Sequence, residues 1–365
     1  MKHTIHLVFT LAVLILLSLP VIFFNSKQTV SEKENRALAA EPALIKENRL
    51  NERLFAEYDE YFSDHIGFRE ELIQLNAKTP LHIEKESSVG KAVAGKNGWY
   101  FYTLPSDGNN LLDFYKRNLL GDAQLAQFSE RVSSVMKWCA EHEIPCIFLI
   151  CPNKHSVYAE YYPFDRPEGI TRADQLTHVF DKLGANYLFP RDFLLSKKRD
   201  FDFPLYYETD THWNPQGAYL AFTLLRERIT ELFPQTDFSN IEYNATISES
   251  ETAGDLLPML NIQTARSTQI TLTPVRRKPT DFYSYLKNAG RDGVHTKGAN
   301  PTLPRALIFR DSFFSALEPF VSPLFSEAEY VWKKFGEEDK KYVLEYKPDI
   351  IIFESVERSA LRIVQ

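Results

Sequence analysis

The sequence predicts an α/β fold built on a central parallel sheet with helices on both faces. The first observation is a set of short, continuous apolar runs: IPCIFLIC ending at residue 151, ALIFR (306–310), EYVW (329–332) and DIIIFE (349–354). A strand with one wet face alternates polar and apolar residues, so runs without alternation imply burial on both faces. The second is the helical spacing of apolar residues in the segments between such runs. The third is their alternation from residue 122 onward, the pattern of strands joined by crossover helices. A chain of 365 residues holds one large α/β domain or two modest ones.

The elements follow in order. Residues 5–24 read IHLVFTLAVLILLSLPVIFF, with no formal charge and with Lys2 ahead of them. Roughly 20 apolar residues span a bilayer as a helix. Phe23, Phe24 and Asn25 close the run where a cleaved signal peptide has small residues, so an uncleaved single-pass anchor over 1–24 is expected. Either form of leader places the rest of the chain outside the cytoplasm, in the periplasm or at the cell surface; a buried core helix is the plainer alternative. Residues 25–48 are polar and charged and read as a tether, leaving 49–365 as the main domain. Leu50, Leu54, Tyr58, Tyr61 and Phe62 mark a helix within 49–78, and GKNGWYFYT (95–103) a turn followed by a strand. Helices are expected over 122–143, 171–184 and 215–233, the last with Ala218, Phe222, Leu225, Ile229 and Leu232 as its buried stripe. Strands are expected at 145–151 and at NYLF (186–189). Between about 234 and 305 regularity drops, which reads as an insertion of short β elements and loops containing the basic cluster VRRKP (275–279).

Composition excludes some partners. The formal net charge is −7 and the pI about 5.8, whereas a nucleic-acid partner wants a basic face. Cys139, Cys146 and Cys151 lack paired metal-ligand spacing, and an odd number leaves at least one thiol free. A Cys139–Cys146 bridge is open in an oxidising compartment, with buried thiols as the default.

Two segments carry residues suited to chemistry. In ALIFRDSFFSALEPF (306–320) a strand runs into Asp311-Ser312 and then into an apolar helix. Ligands of open α/β sheets collect beyond the carboxyl ends of strands, where backbone N–H groups can stabilise an oxyanion. Ser312 or Asp311 serves equally well as an ordinary helix N-cap. In YYETDTHWNPQGAYLAF (206–222), Asn214 and Pro215 open a helix and leave Asp210 and His212 on the loop before it. A serine hydroxyl needs a base to become a nucleophile, and a carboxylate on the far ring nitrogen orients that base. The alternatives are a loop histidine bonded to its neighbours, or part of a metal site completed by His65, His155 or His178.

The segments D-T-H-W-N (210–214) and R-D-S-F (310–313) resemble the AlgX/AlgJ-like family of SGNH-hydrolase-like alginate O-acetyltransferases. ENR (34–36), DHIGFRE (64–70), GKNGWYFY (95–102), PNKHSVY (152–158), GDL (254–256) and PDIIIFESVER (348–358) agree with it in family order. The resemblance implies a three-layer α/β/α sandwich with a permuted motif order, the Asp-His pair preceding the serine. Carried over, the nucleophile is Ser312, the base His212 and the orienter Asp210. Arg310 stands where SGNH enzymes usually have glycine. The sequence ends at Gln365, soon after an ER-x-L-like stretch, so an anchored AlgJ-like arrangement is expected rather than one with an appended carbohydrate-binding module.

Secondary candidates are Asn153 as an oxyanion donor, Lys154 as a contact for an anionic glycan, and Tyr207 and Trp213 as sugar-stacking rings. Arg310 is expected near the site, paired with Asp311 or Glu354 if it does not touch substrate. Glu354 and Arg358 are expected to form a structural ion pair, and His65 and Arg69 to act structurally. The leading expectation is acetyl transfer to hydroxyls of an exported polysaccharide, with no cofactor or metal. A membrane-bound O-acyltransferase partner, implied by the resemblance, would supply acetyl groups. A carbohydrate esterase with the same residues, or a non-catalytic glycan-binding assembly factor, are the alternatives.

Overall fold

The computed structural model describes residues 90–365 apart from 105, 109, 239–240, 276–277 and 287–292, together with 54–69 and shorter stretches between 10 and 51. The chain divides into two compact units, one formed by 1–84 with 257–263 and the other by 85–256 with 264–365. Half of the apolar run at 5–24 lies outside the described residues. Among the described residues no helix is long and apolar enough to cross a membrane. Residues 70–78 of the expected first helix and Arg276 and Arg277 of the basic cluster also lie outside them.

In the first unit, helix α1 (Leu54–His65) packs Tyr61, Phe62 and His65 around the ring of Phe24. Asp64 accepts the Ala39 N–H at 2.8 Å, and the His65 Nδ1 lies 2.8 Å from the Tyr61 carbonyl. A Cβ at Gly67 would lie 2.6 Å from that of Phe23, so the DHIGFRE segment needs its glycine for close passage of the chain.

The second unit carries the sheet. Its elements are β1 (Ala92–Ala94), β2 (Tyr100–Tyr102), α2 (Asp122–Glu141), β3 (Cys146–Cys151), α3 (Arg172–Leu183), β4 (Tyr187–Leu188), α4 (Arg191–Lys197), α5 (Pro215–Leu232), β5 (Tyr243–Thr252), β6 (Ala265–Pro274), β7 (Tyr283–Tyr285), β8 (Gly293–Gly298), β9 (Arg305–Phe309), β10 (Glu327–Val331), α6 (Lys340–Tyr346) and β11 (Ile350–Val356). Seven strands form one sheet in the order β7-β8-β10-β9-β11-β3-β4. The five from β10 to β4 are parallel, as the apolar runs predict. The sheet as a whole is mixed rather than parallel, because β7 and β8 add an antiparallel edge. That edge comes from the irregular region after residue 234, where a three-residue YSY strand and a strand with Gly, His, Thr and Lys lack the apolar signature of a central strand.

The central strands bury both faces. On β3, Ile147, Leu149 and Cys151 join one core while Phe148 and Ile150 join the other. On β11, Ile350 and Ile352 face the first core and Ile351 and Phe353 the second. Helix α5 covers the first face with Ala218, Ala221, Leu225 and Ile229; α2 and α3 cover the second with Phe128, Val132, Leu176 and Phe180. Fully burying one such aliphatic or aromatic side chain contributes on the order of 2–3 kcal/mol. The layered α/β/α arrangement rests on these two cores.

Two expectations are corrected here. The segment after Ser312 is not a continuous helix: a 3-10 turn (Ser312–Ala316) leads into one α turn (Glu318–Val321) and another 3-10 turn (Ser322–Leu324). Pro319 and Pro323 cannot donate the backbone hydrogen bonds that a longer helix needs. Also, β5 and β6 are ten-residue partners, longer than the short elements expected of the insertion. Both are mainly polar in sequence, and β5 is also largely exposed, which hides them from a search for apolar periodicity.

Candidate active site

The carboxyl ends of β9, β11 and β3 lie side by side, and the residues that follow β9 and β3 include candidate site residues. From β9 the chain passes through Arg310 and Asp311 to Ser312. Asp311 takes the capping role: its Oδ1 accepts the Phe313 N–H at 3.1 Å, and its Oδ2 accepts the Val356 N–H at 2.8 Å and a Lys334 Nζ bond at 3.1 Å. Burial raises the Asp311 pKa, but Lys334 and these N–H groups outweigh it and hold the carboxyl below its ordinary range. With the cap supplied by its neighbour, Ser312 turns its hydroxyl elsewhere.

Its Oγ lies 2.8 Å from Nε2 of His212, a residue one hundred positions earlier. The other ring nitrogen, Nδ1, is 2.6 Å from Asp210 Oδ1. These partners assign the tautomer: Nδ1 donates to the carboxylate and Nε2 accepts from the serine. Asp210 also accepts the His212 N–H at 3.0 Å and the Asp255 N–H at 3.1 Å. Burial works against its charge, but the His212 hydrogen bond and charge, with the two backbone donors, bring its pKa down to about 2. The Phe313 ring sits 4.8 Å from the imidazole, and the Trp213 Nε1 donates to the Phe313 carbonyl at 3.0 Å. That last bond ties the histidine loop directly to the serine turn.

The loop itself is short and heavily anchored. A bridge between Tyr206 and Trp213 closes it, and the Tyr207 N–H donates to the His212 carbonyl at 3.3 Å. Asn214 caps α5 by accepting from Gln216 and Gly217, with Pro215 at the first helical position, which fixes where His212 stands. The Tyr100 N–H donates to the Glu208 carbonyl, and the Glu208 carboxylate accepts from Ser267 and Thr268 on β6.

The secondary candidates are placed as follows. Asn153 is buried just past β3; its N–H donates to Glu357 at 2.8 Å, and its Oδ1 faces Arg358 Nη1 at 3.4 Å. Its Nδ2 has no hydrogen-bond partner among the described residues. Lys154 is not a surface contact for an anionic glycan: it is 4% exposed, and its amine donates to the carbonyls of Tyr207, Glu208 and Asp210. Trp213 is buried and bonded, so it presents no ring to a sugar, whereas Tyr207 is half-buried. Arg310 is buried under the exposed Trp332, 4.0 Å from its ring centroid, and donates to the Asp311 carbonyl and to Ser315. Arg358 pairs with Asp107 at 3.0 Å rather than with Glu354, which instead accepts the Asp311 N–H at 2.8 Å.

Asp255 is the site residue that reading for a serine, a histidine and one carboxylate passes over. Its Oδ1 accepts the Thr211 N–H at 2.7 Å, and its Oδ2 lies 3.6 Å from His212 Nδ1. Burial and the nearby Asp210 charge raise its pKa. The only signal for it in the sequence is its place in the GDL stretch. Asp210, His212 and Asp255 group their ligand-type atoms within 4.8 Å, but the 2.6 Å between Nδ1 and Asp210 is a hydrogen-bond distance. Neither His155, packed against Phe114 and Tyr162, nor His178 joins that group.

Comparison with known proteins bears on the family and the fold. The family model for the SGNH hydrolase-like domain, acetyltransferase AlgX, matches residues 92–290, over half of the chain and inclusive of Asp210, His212 and Asp255. Among solved structures, Bacillus cereus PatB1 is similar with a TM-score of 0.53 and 15% identity, over 72% of this chain and 95% of that one. PatB1 with a sulfonyl adduct gives a TM-score of 0.53 and 14% identity, over 76% of this chain and 100% of that one. The O-acetyltransferase domain of Pseudomonas putida AlgJ gives a TM-score of 0.49 and 18% identity, over 76% and 94% respectively. At such identities the likeness speaks for the fold. No curated protein matches the sequence. The chain belongs to the family of the SGNH hydrolase-like domain, acetyltransferase AlgX.

Proposed function

We propose that this protein transfers acetyl groups to hydroxyls of an exported polysaccharide, with Ser312 as nucleophile, His212 as general base and Asp210 as its orienter. The observation that carries the reading is the run of hydrogen bonds from Asp210 through His212 to Ser312, 2.6 and 2.8 Å long, at the carboxyl rim of the sheet. His212 takes the Ser312 proton as Oγ attacks the acetyl carbonyl; the donor's leaving group departs with that proton, and an acetyl-serine remains. A sugar hydroxyl then attacks the acetyl carbon and gives its proton to His212. Collapse returns that proton to Ser312 Oγ and releases the acetylated glycan. The Asn153 Nδ2, buried without a partner among the described residues, suits the developing oxyanion.

The apolar run at 5–24 suits an anchor that keeps the domain outside the cytoplasm. There acetyl-coenzyme A is lacking, so a membrane-bound O-acyltransferase partner would supply the acetyl group. The alternative is a carbohydrate esterase with water as acceptor. The His212 and Asp210 side chains keep 27% and 26% of their surface open, which admits water as well as a sugar hydroxyl.

The test is trapping. Incubation with an activated acetyl or sulfonyl ester should add one adduct to Ser312, read by mass spectrometry, and none to Ser312→Ala. PatB1, similar in fold, has a structure with a sulfonyl adduct, which makes that probe apt. A folded wild type that acquires no adduct on Ser312 contradicts both enzymatic readings. Unchanged polymer acetylation in Ser312→Ala would favour a glycan-binding assembly factor. Transfer to an acceptor oligosaccharide against acetate release separates transferase from esterase.

A further inference from the structure

We propose that Lys154 is a positioning residue for the acid–base pair: its ammonium gathers three carbonyls of the Asp210–His212 loop onto one nitrogen and so holds His212 against Ser312. The inference rests on the reading of Ser312 as nucleophile. Nζ lies 3.0 Å from the Tyr207 carbonyl, 3.1 Å from that of Glu208 and 2.7 Å from that of Asp210. Three main-chain oxygens from four successive residues converging on one point form no regular structure, and buried carbonyls need donors. A single nitrogen supplies three donors only as an ammonium. The Trp99 and Phe101 rings stand 5.6 and 5.2 Å from it and offer the cation their faces. The Asp255, Asp210 and Glu208 carboxylates are the charges that face it; burial pushes its pKa down to about 7 and these carboxylates oppose that shift.

Among the described residues every Lys154 hydrogen bond runs to the main chain and none to the Asp210 carboxylate or the imidazole, so Lys154 acts through the loop's position. The same short turn, Lys154–Val157, follows directly on Asn153. One backbone segment therefore sets both the carboxamide that faces the oxyanion and the anchor of the loop that carries the base. A surface lysine would not couple the two.

The experiment measures sulfonylation of Ser312 by phenylmethanesulfonyl fluoride in the full-length chain, separating kinact from KI, with a thermal melt for each variant. Lys154→Met, close in size and without donors, should lower kinact at least tenfold with KI unchanged. Lys154→Ala should show the same loss, and millimolar ethylammonium should restore kinact several-fold in Lys154→Ala but not in Lys154→Met, whose side chain fills the space. Should those variants not fold, Lys154→Arg keeps a cation but cannot place three N–H groups on one nitrogen, and its kinact should still fall. Wild-type kinact in a folded Lys154→Met, or in Lys154→Arg where Met does not fold, overturns the inference while leaving Ser312 as nucleophile. A wild type that is not labelled at all overturns that reading and this inference with it.

Discussion

Asp210 shows how one carboxylate is committed by its neighbours. Of its two oxygens, one meets the His212 ring and main chain and the other the Asp255 main chain. A group whose folded pKa lies below its unfolded value stabilises the native state above the unfolded pKa and loses that contribution as pH falls through the folded one. With the folded value at about 2, the Asp210 contribution is complete above about pH 4 and disappears near pH 2. Loss of Ser312 labelling between neutrality and pH 4 therefore does not come from Asp210. Asp210→Asn can no longer favour the tautomer with a proton on Nδ1, and labelling of Ser312 should slow by about 10²–10⁴-fold with the melting temperature little changed. A rate within threefold of wild type would remove Asp210 from the mechanism. The Asp-x-His spacing was legible in the sequence because both residues sit in one turn. Asp255 was not, since its approach depends on a separate segment folding back onto that turn: a Cβ at Gly254 would lie 2.2 Å from the Thr209 carbonyl oxygen.

At the level of elements, the serine turn is held by a partly buried ionic knot. Asp311 caps the 3-10 turn, reaches the Val356 N–H on β11 and accepts from Lys334, which also donates to the Glu354 carbonyl at 2.8 Å. Removing one partner of a buried charge pair leaves the other uncompensated, at a cost of about 3–5 kcal/mol. Asp311→Ala should show a loss toward the lower end of that range in urea denaturation, because both side chains keep some exposure. A change below about 0.5 kcal/mol would mean the knot is dispensable. In sequence Ser312 and Asp311 suit the same cap; in the structure Asp311 has it, and Ser312 faces His212. The place of Lys154 departs from the sequence expectation for a related reason. Lysine at a strand end is usually a solvated charge, and only the convergence of three carbonyls from residues far along the chain gives this one a buried place.

For the molecule as a whole, the central sheet carries a titrating group in its middle. Glu354 lies on β11 between β9 and β3 and is fully buried; burial and the Asp311 charge push its pKa up to about 8. The native state thus keeps a proton that the unfolded chain releases from about pH 4.5 upward. Its stabilising effect is complete below that value and is lost as pH rises through about 8. Asp113, raised to about 7 by burial, acts in the same direction. Glu354→Gln keeps an acceptor for the Asp311 N–H without the proton. The difference in melting temperature, variant minus wild type, should therefore grow by several degrees from about pH 5 to pH 8. A difference independent of pH would show that Glu354 is already ionised in the native protein.

The sequence by itself determined the α/β class, the five central strands and their covering helices, because burial on both faces imposes a pattern that the local order of residues displays. It also marked Ser312, His212 and Asp210, since a strand-end serine and a loop Asp-x-His are local features. Only the tertiary structure decided the antiparallel edge of the sheet, the pairing of Arg358 with Asp107, the placement of Asp255 and the burial of Lys154. Each of these depends on contacts between segments tens to hundreds of residues apart, and local periodicity carries no record of which distant partner will satisfy a buried charge or carbonyl.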